Sequence, residues 1–179
     1  MSAPSQYSRL SIGLHWLTLL LIIVVYAMAE LKGFFPKDSS THATMKMLHS
    51  SCGLTILTLT AIRLVARIFQ HAPAIYPAPA PWENLLAKLM HIALYAMLIG
   101  LPLLAWFAIS AFGGSPSIWG IPLPALTTEN KDLATRVIGA HKLIANIGYG
   151  LIGLHVLAAL KHHYISRDNT LRRMLPARS

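Results

Sequence analysis

The chain has 179 residues, of which 55 % are apolar and only 12 % charged, with a mean hydropathy of +0.55. About one residue in four is charged in an average soluble domain, so this composition excludes a disordered chain and argues against a soluble globular one. Fifteen Lys and Arg against six Asp and Glu give a net charge of +9, and the single cysteine, Cys52, excludes an intrachain disulfide or a thiolate metal cluster. In so apolar a chain the positive excess speaks for membrane orientation rather than for a nucleic-acid partner.

The charges fall in clumps and leave four long gaps, at Leu10–Ala29, Met47–Ile62, Leu89–Ala111 and Leu143–Leu160. A helix rises about 1.5 Å per residue and needs roughly 20 residues to cross a 30 Å hydrocarbon core. The shorter gaps extend into flanking Lys and Arg that snorkel to the interface. The pattern predicts four transmembrane helices near 8–29, 45–69, 84–111 and 138–163, in one transmembrane domain over 1–179: an all-α, integral-membrane four-helix bundle.

The first apolar run is longer than the h-region of a secretory signal and contains His15 and Trp16, so it reads as a retained span. Between the second and third helices, 71–82 carries Pro73, Pro77, Pro79 and Pro81, which forbid helix and favour an extended linker. Pro102 predicts a kink in the third helix. The stretch 113–128, with Gly113, Gly114, Pro116, Gly120, Pro122 and Pro124, is apolar but too broken to span; it is expected to lie on the membrane surface or cap the bundle.

Orientation follows from Lys and Arg near the helix ends. One side holds Arg9, Arg63, Arg67, Lys88, Lys161, Arg167, Arg172, Arg173 and Arg178. The other holds Lys32, Lys37, Lys46, Lys131, Arg136 and Lys142, together with Glu30, Asp38, Glu129 and Asp132. The bias places both termini in the cytoplasm and makes the chain a multi-pass protein in contact with membrane lipid.

Five histidines fall inside the spans: His15, His49, His91, His141 and His155. Intramembrane ionisable residues are functional candidates by default. Topology puts His15 and His155 about two turns from the inner side, and His49 and His141 about one turn from the outer side. His141 and His155 are 14 residues apart, on nearly one face of a helix and about 21 Å apart along its axis. Gly148 lies midway on that face, where a small residue admits a flat group or a close helix neighbour. Two imidazoles facing each other at one depth suit the axial positions of a b-type haem; zinc wants three or four ligands converging on one point. No Cys-x-x-Cys-His occurs, so covalent haem attachment is excluded.

The chain resembles the small bacterial cytochrome b561 family along nearly its whole length. The matching stretches are Tyr7-Ser8-Arg9-Leu10 before His15-Trp16, Gly33-Phe34-Phe35-Pro36, His49-Ser50-Ser51-Cys52-Gly53, Arg63 and Arg67. They continue with His141, Asn146-Ile147-Gly148-Tyr149, His155, His162-His163-Tyr164, Asp168-Asn169-Thr170-Leu171 and Arg173-Met174-Leu175-Pro176. The resemblance implies a dihaem membrane cytochrome of the bacterial inner membrane. Its iron ligands would be His15 with His155 for an inner haem b and His49 with His141 for an outer one. It implies oxidation of superoxide at the outer face and reduction of ubiquinone in the membrane. The alternative in the same family setting is an anchor subunit passing electrons between quinone and a partner dehydrogenase or hydrogenase. The family pattern does not use His91 as a ligand, which leaves it a hydrogen-bonding or quinone-side role.

The polar rims complete the expectations. Arg9, Arg63 and Arg67 suit inner haem propionates as charge-assisted partners, against ordinary membrane-flank anchoring. Lys46, Arg136 and Lys142 suit the outer propionates or steer anionic superoxide, the catalytic role assigned to them here. His162, seven residues past His155 and within about 20° of its face, is expected to donate to a quinone carbonyl, with Ser11 and Arg9 as neighbours; His163 turns away. His42 and His71 are expected to be solvated loop residues. A histidine-lined metal transporter is disfavoured by the near absence of intramembrane carboxylates and thiols.

Overall fold

A computed structural model of the chain describes residues 6–70 and 72–176; His71 and Arg178 lie outside the described residues. Four long helices dominate: α1 (Arg9–Leu31), α2 (Ser40–Ile68), α3 (Pro81–Ala111) and α4 (Lys131–Tyr164). Each is long and apolar enough to cross a membrane. Short 3₁₀ turns follow α1 (Lys32–Phe34) and close the described chain (Arg172–Met174).

Capping sets where the helices begin. Ser8, Ser39 and Asn130 accept the backbone N–H groups of Ser11, His42 and Leu133, each satisfying a donor the first turn would leave orphaned. Pro81 opens α3, and the Glu83 carboxylate accepts the Ala80 N–H at 3.0 Å. These caps start α2 and α4 at Ser40 and Lys131, several residues ahead of the apolar runs. The polar first turns carry no hydrophobic signal, which places His42 in α2 rather than in the loop expected for it. α3 continues through Pro102 as one helix.

The helices run up and down. α1 packs most extensively on α2 and α3 on α4, with α2 against α3 joining the pairs. The outward faces are apolar: Leu20, Ile23, Leu143 and Leu157 are each more than half exposed, as a lipid-facing surface requires. Hydroxyls of Thr18, Thr55 and Thr58 donate to carbonyls one turn back, so they present no unpaired donor to hydrocarbon.

The first and last described segments meet at one end. Tyr7 N–H donates to the Arg173 carbonyl at 3.1 Å, and the Trp16 indole donates to the Met174 carbonyl at 2.7 Å. Arg173 is buried, donates to the Pro73 carbonyl and lies over the Tyr7 ring. Asn169 exchanges hydrogen bonds with the backbone of Tyr76, tying the C-terminal segment to the proline-rich linker. Lys161 pairs with Glu83, joining the last turn of α4 to the first of α3.

The opposite end carries a small hairpin, β1 (Ser117–Ile118) and β2 (Ile121–Pro122), joined by Trp119 and Gly120, both with positive φ. That is the backbone of a type I′ turn, and Gly120 supplies one of its two positions without strain. Trp119 donates its backbone N–H to Ser51 Oγ and its indole to Thr55 Oγ1, so the stretch 113–128 folds down onto α2.

Candidate functional site

The bundle brings four histidines into two facing pairs. At the hairpin end, the rings of His49 on α2 and His141 on α4 have centroids 6.3 Å apart with planes at 68°. At the terminus end, His15 on α1 and His155 on α4 have centroids 6.3 Å apart with planes at 61°. In each pair, subtracting a ring radius of about 1 Å at both ends leaves about 4 Å, the span of two metal–imidazole bonds of about 2 Å each.

The hairpin-end pair is held in one tautomer. His49 Nδ1 lies 2.9 Å from the Val25 carbonyl and His141 Nδ1 lies 3.0 Å from that of Leu101. A carbonyl only accepts, so both Nδ1 atoms carry the proton and both Nε2 lone pairs are free, the usual arrangement of a metal-bound histidine. A cavity of about 540 Å³ surrounds this pair, with apolar walls that include Val25, Met97, Pro102 and Trp106. That is within the roughly 300–1,000 Å³ range of ligand pockets. The residues present therefore fit a flat, largely apolar group ligated from both faces, as a b-type haem is.

The terminus-end pair has the same spacing but different neighbours. His15 packs edge-on against Trp16 at 5.3 Å, and Arg63 Nη2 lies 3.2 Å from His15 Nδ1. His91 on α3 lies 5.7 Å from His155, with planes at 68°. Of the expected propionate partners, Arg63 alone contacts a histidine pair, and it also lies over the Tyr95 ring at 5.7 Å; Arg9 and Arg67 are exposed.

Gly148 is buried on α4 between the two depths. A Cβ there would meet the Tyr26 hydroxyl and Met97 Sδ, so its missing side chain admits two protein neighbours, the close-packing alternative weighed for it. Tyr26 in turn donates to the Ala145 carbonyl at 2.8 Å and packs on Tyr149 at 4.4 Å. Gly148→Leu should force these side chains out of register and destabilise the protein by about 1–3 kcal/mol. The check is the thermal midpoint in detergent, with Gly150→Leu, at an open position, as the tolerant control.

The basic rim differs in one member from the set expected. Lys46 and Lys142 line the mouth of the cavity, and Lys32 joins them. Arg136 instead lies with Asn130, Asp132 and Leu133 on a separate surface depression, because α4 begins early enough to carry it outward. Lys32 opens the 3₁₀ turn that follows α1, and its charge carries no sign of direction. Glu30 lines the same mouth and accepts the Tyr149 hydroxyl at 2.9 Å.

At the terminus end His162 Nδ1 is 2.5 Å from Asp168 Oδ2. Burial alone would raise the Asp168 carboxyl, but the bonds from His162 and from the Thr170 N–H outweigh it and hold the group below the usual carboxylate range. Ser11 Oγ donates to Gln70 Oε1 at 2.6 Å. Among the described residues, neither Ser11 nor Arg9 is hydrogen-bonded to His162. Asp168 was the missed partner; it lies past the helix end, where periodicity no longer reports direction.

The family described as prokaryotic cytochrome b561 matches residues 6–177. Cytochrome b561 homolog 1 of Escherichia coli K12 is 41 % identical over 97 % of this chain and 99 % of its own length. The probable superoxide oxidase CybB of Yersinia pestis is 42 % identical over 96 % of each chain. Cytochrome b562 of Cereibacter sphaeroides is 27 % identical over 99 % of this chain and all of its own length.

Proposed function

We propose that this chain, which belongs to the prokaryotic cytochrome b561 family, oxidises superoxide at its hairpin end and reduces ubiquinone, with two b-type haems held by its histidine pairs. Membership makes the chain a multi-pass protein of the bacterial inner membrane that takes part in electron transfer and binds b-type haem. The count of two haems, the donor and the acceptor are our reading. The observation that carries it is the repetition of one histidine spacing, 6.3 Å, at both ends of the bundle.

Held by the two histidine pairs, such a group would supply a one-electron centre suited to outer-sphere transfer. The protein's share is to hold His49 and His141 with Nδ1 protonated and Nε2 free, and to keep water from the apolar cavity. His15 presents Nε2 to a metal only when Nδ1 carries a proton, and Arg63 cannot accept that proton. Arg63 then needs another acceptor, and a propionate carboxylate is the charge-assisted partner suited to it.

Three lysines at the cavity mouth supply the positive field that an anionic donor needs. The relative named as a probable superoxide oxidase supports superoxide as that donor. The balanced reaction takes two superoxide anions, one ubiquinone and two protons, and yields two molecules of oxygen and one quinol. The lysine and arginine bias supports both termini, and the quinone-reducing end, in the cytoplasm. There a protonated His162 would donate Nδ1–H to Asp168 and Nε2–H to a quinone carbonyl, and would pass on the latter proton as the quinol forms.

The experiment is His162→Ala in purified protein, with haem reduction by superoxide and reoxidation by a short-chain quinone followed separately. Reoxidation should slow by about 100-fold or more, the low end of the roughly 10²–10⁴-fold that a general acid contributes, while reduction is unchanged. Unchanged reoxidation would remove His162 from the quinone site.

A further inference from the structure

The two histidine pairs share a spacing but not the way their rings are held. At the hairpin end each Nδ1–H ends on a main-chain carbonyl, of Val25 or Leu101. At the terminus end His15 Nδ1 faces the Arg63 guanidinium, itself a donor. Among the described residues no carbonyl is hydrogen-bonded to the His155 ring. A histidine that ligates through Nε2 needs an acceptor for its Nδ1 proton, which fixes both tautomer and ring rotation.

A second histidine ring, that of His91, also faces His155. Its ring centroid is 5.7 Å away with planes at 68°. It stands on α3, the helix packed most extensively against α4. A neutral imidazole has one donor and one acceptor nitrogen, so the His91 ring can accept on the nitrogen that does not carry its proton. Two imidazoles joined by an N–H···N bond of about 3 Å have centroids about 5 Å apart. The observed separation is within an ångström of that.

We infer that His91 is a positioning residue that accepts the Nδ1–H of His155 and so aims His155 Nε2 at its partner His15. The inference rests on reading His15 and His155 as a haem pair. It assigns the two ends different supports: neutral carbonyls at the hairpin end, and a side chain open to substitution at the terminus end. An acceptor on Nδ1 makes the ligand more basic, and a more basic ligand favours the oxidised metal. Removing the acceptor therefore favours reduction of that haem and leaves the other alone.

The test compares wild type, His91→Ala and His91→Gln as purified holoprotein, by haem content, spin state and spectroelectrochemical titration. His91→Ala should keep two low-spin haems and shift the equilibrium of one by about tenfold toward the reduced form, the low end of second-sphere effects. His91→Gln, whose amide oxygen accepts the same bond, should return it toward wild type. No shift, equal shifts in both haems, or no recovery with glutamine overturns the assignment. So does a high-spin haem in both variants, which would make His91 itself axial. A wild type without two low-spin haems contradicts the haem-pair reading beneath it, independently of either variant.

Discussion

His155→Ala should lower haem content to about half, removing one six-coordinate haem and sparing the other. The reasoning is positional. His155 belongs to the terminus-end pair, whereas His49 and His141 keep their spacing and their carbonyl partners without it. Quinone reduction should fall by at least about 100-fold, the loss expected when a positioned redox group is absent rather than weakened. His141→Ala should do the reverse, sparing the terminus-end haem. Pyridine haemochrome analysis with low-temperature difference spectra measures both. Loss of both haems in either variant would show that the pairs fold as one unit.

Neutralising Lys32, Lys46 and Lys142 together should slow reduction by superoxide by about 10–100-fold at low ionic strength and flatten its salt dependence. All three line the mouth of the cavity around His49 and His141, and exposed charge acts on encounter rate through a field that salt screens within about 10 Å at 0.1 M. Glu30 lines the same mouth and opposes them, so Glu30→Gln should act in the other direction. Arg136→Gln, on the depression with Asp132, should change the rate little. Stopped-flow reduction across a salt series, with haem content as control, checks all of these. A wild-type rate independent of salt would remove steering from the account.

Much of this was legible in the sequence because hydrocarbon imposes so few options. Charge gaps of about 20 residues had to be helices, and His15, His49, His141 and His155 pair by depth once the helices alternate. What stayed hidden is set by side-chain direction at helix ends. Arg136 and Lys142 are six residues apart on α4, yet only Lys142 reaches the cavity. Lys32 reads as a flank anchor until the 3₁₀ turn after α1 brings it to the mouth. Asp168 follows the end of α4, where helical periodicity stops, and so its bond to His162 carried no spacing signal. The Trp119-Gly120 turn was visible as a break but not as a hairpin, because its fold onto α2 depends on Ser51 and Thr55, more than 60 residues earlier in the chain.

This chain alone should carry electrons from superoxide to quinone. The most direct measurement is quinol formation by the purified protein in liposomes containing ubiquinone, with superoxide generated enzymatically outside and superoxide dismutase as the control. One quinol should form for every two superoxide anions consumed, and dismutase or His155→Ala should abolish it. Haems that superoxide leaves oxidised, with quinol appearing only when a partner dehydrogenase or hydrogenase is added, would contradict it and make the chain an anchor subunit.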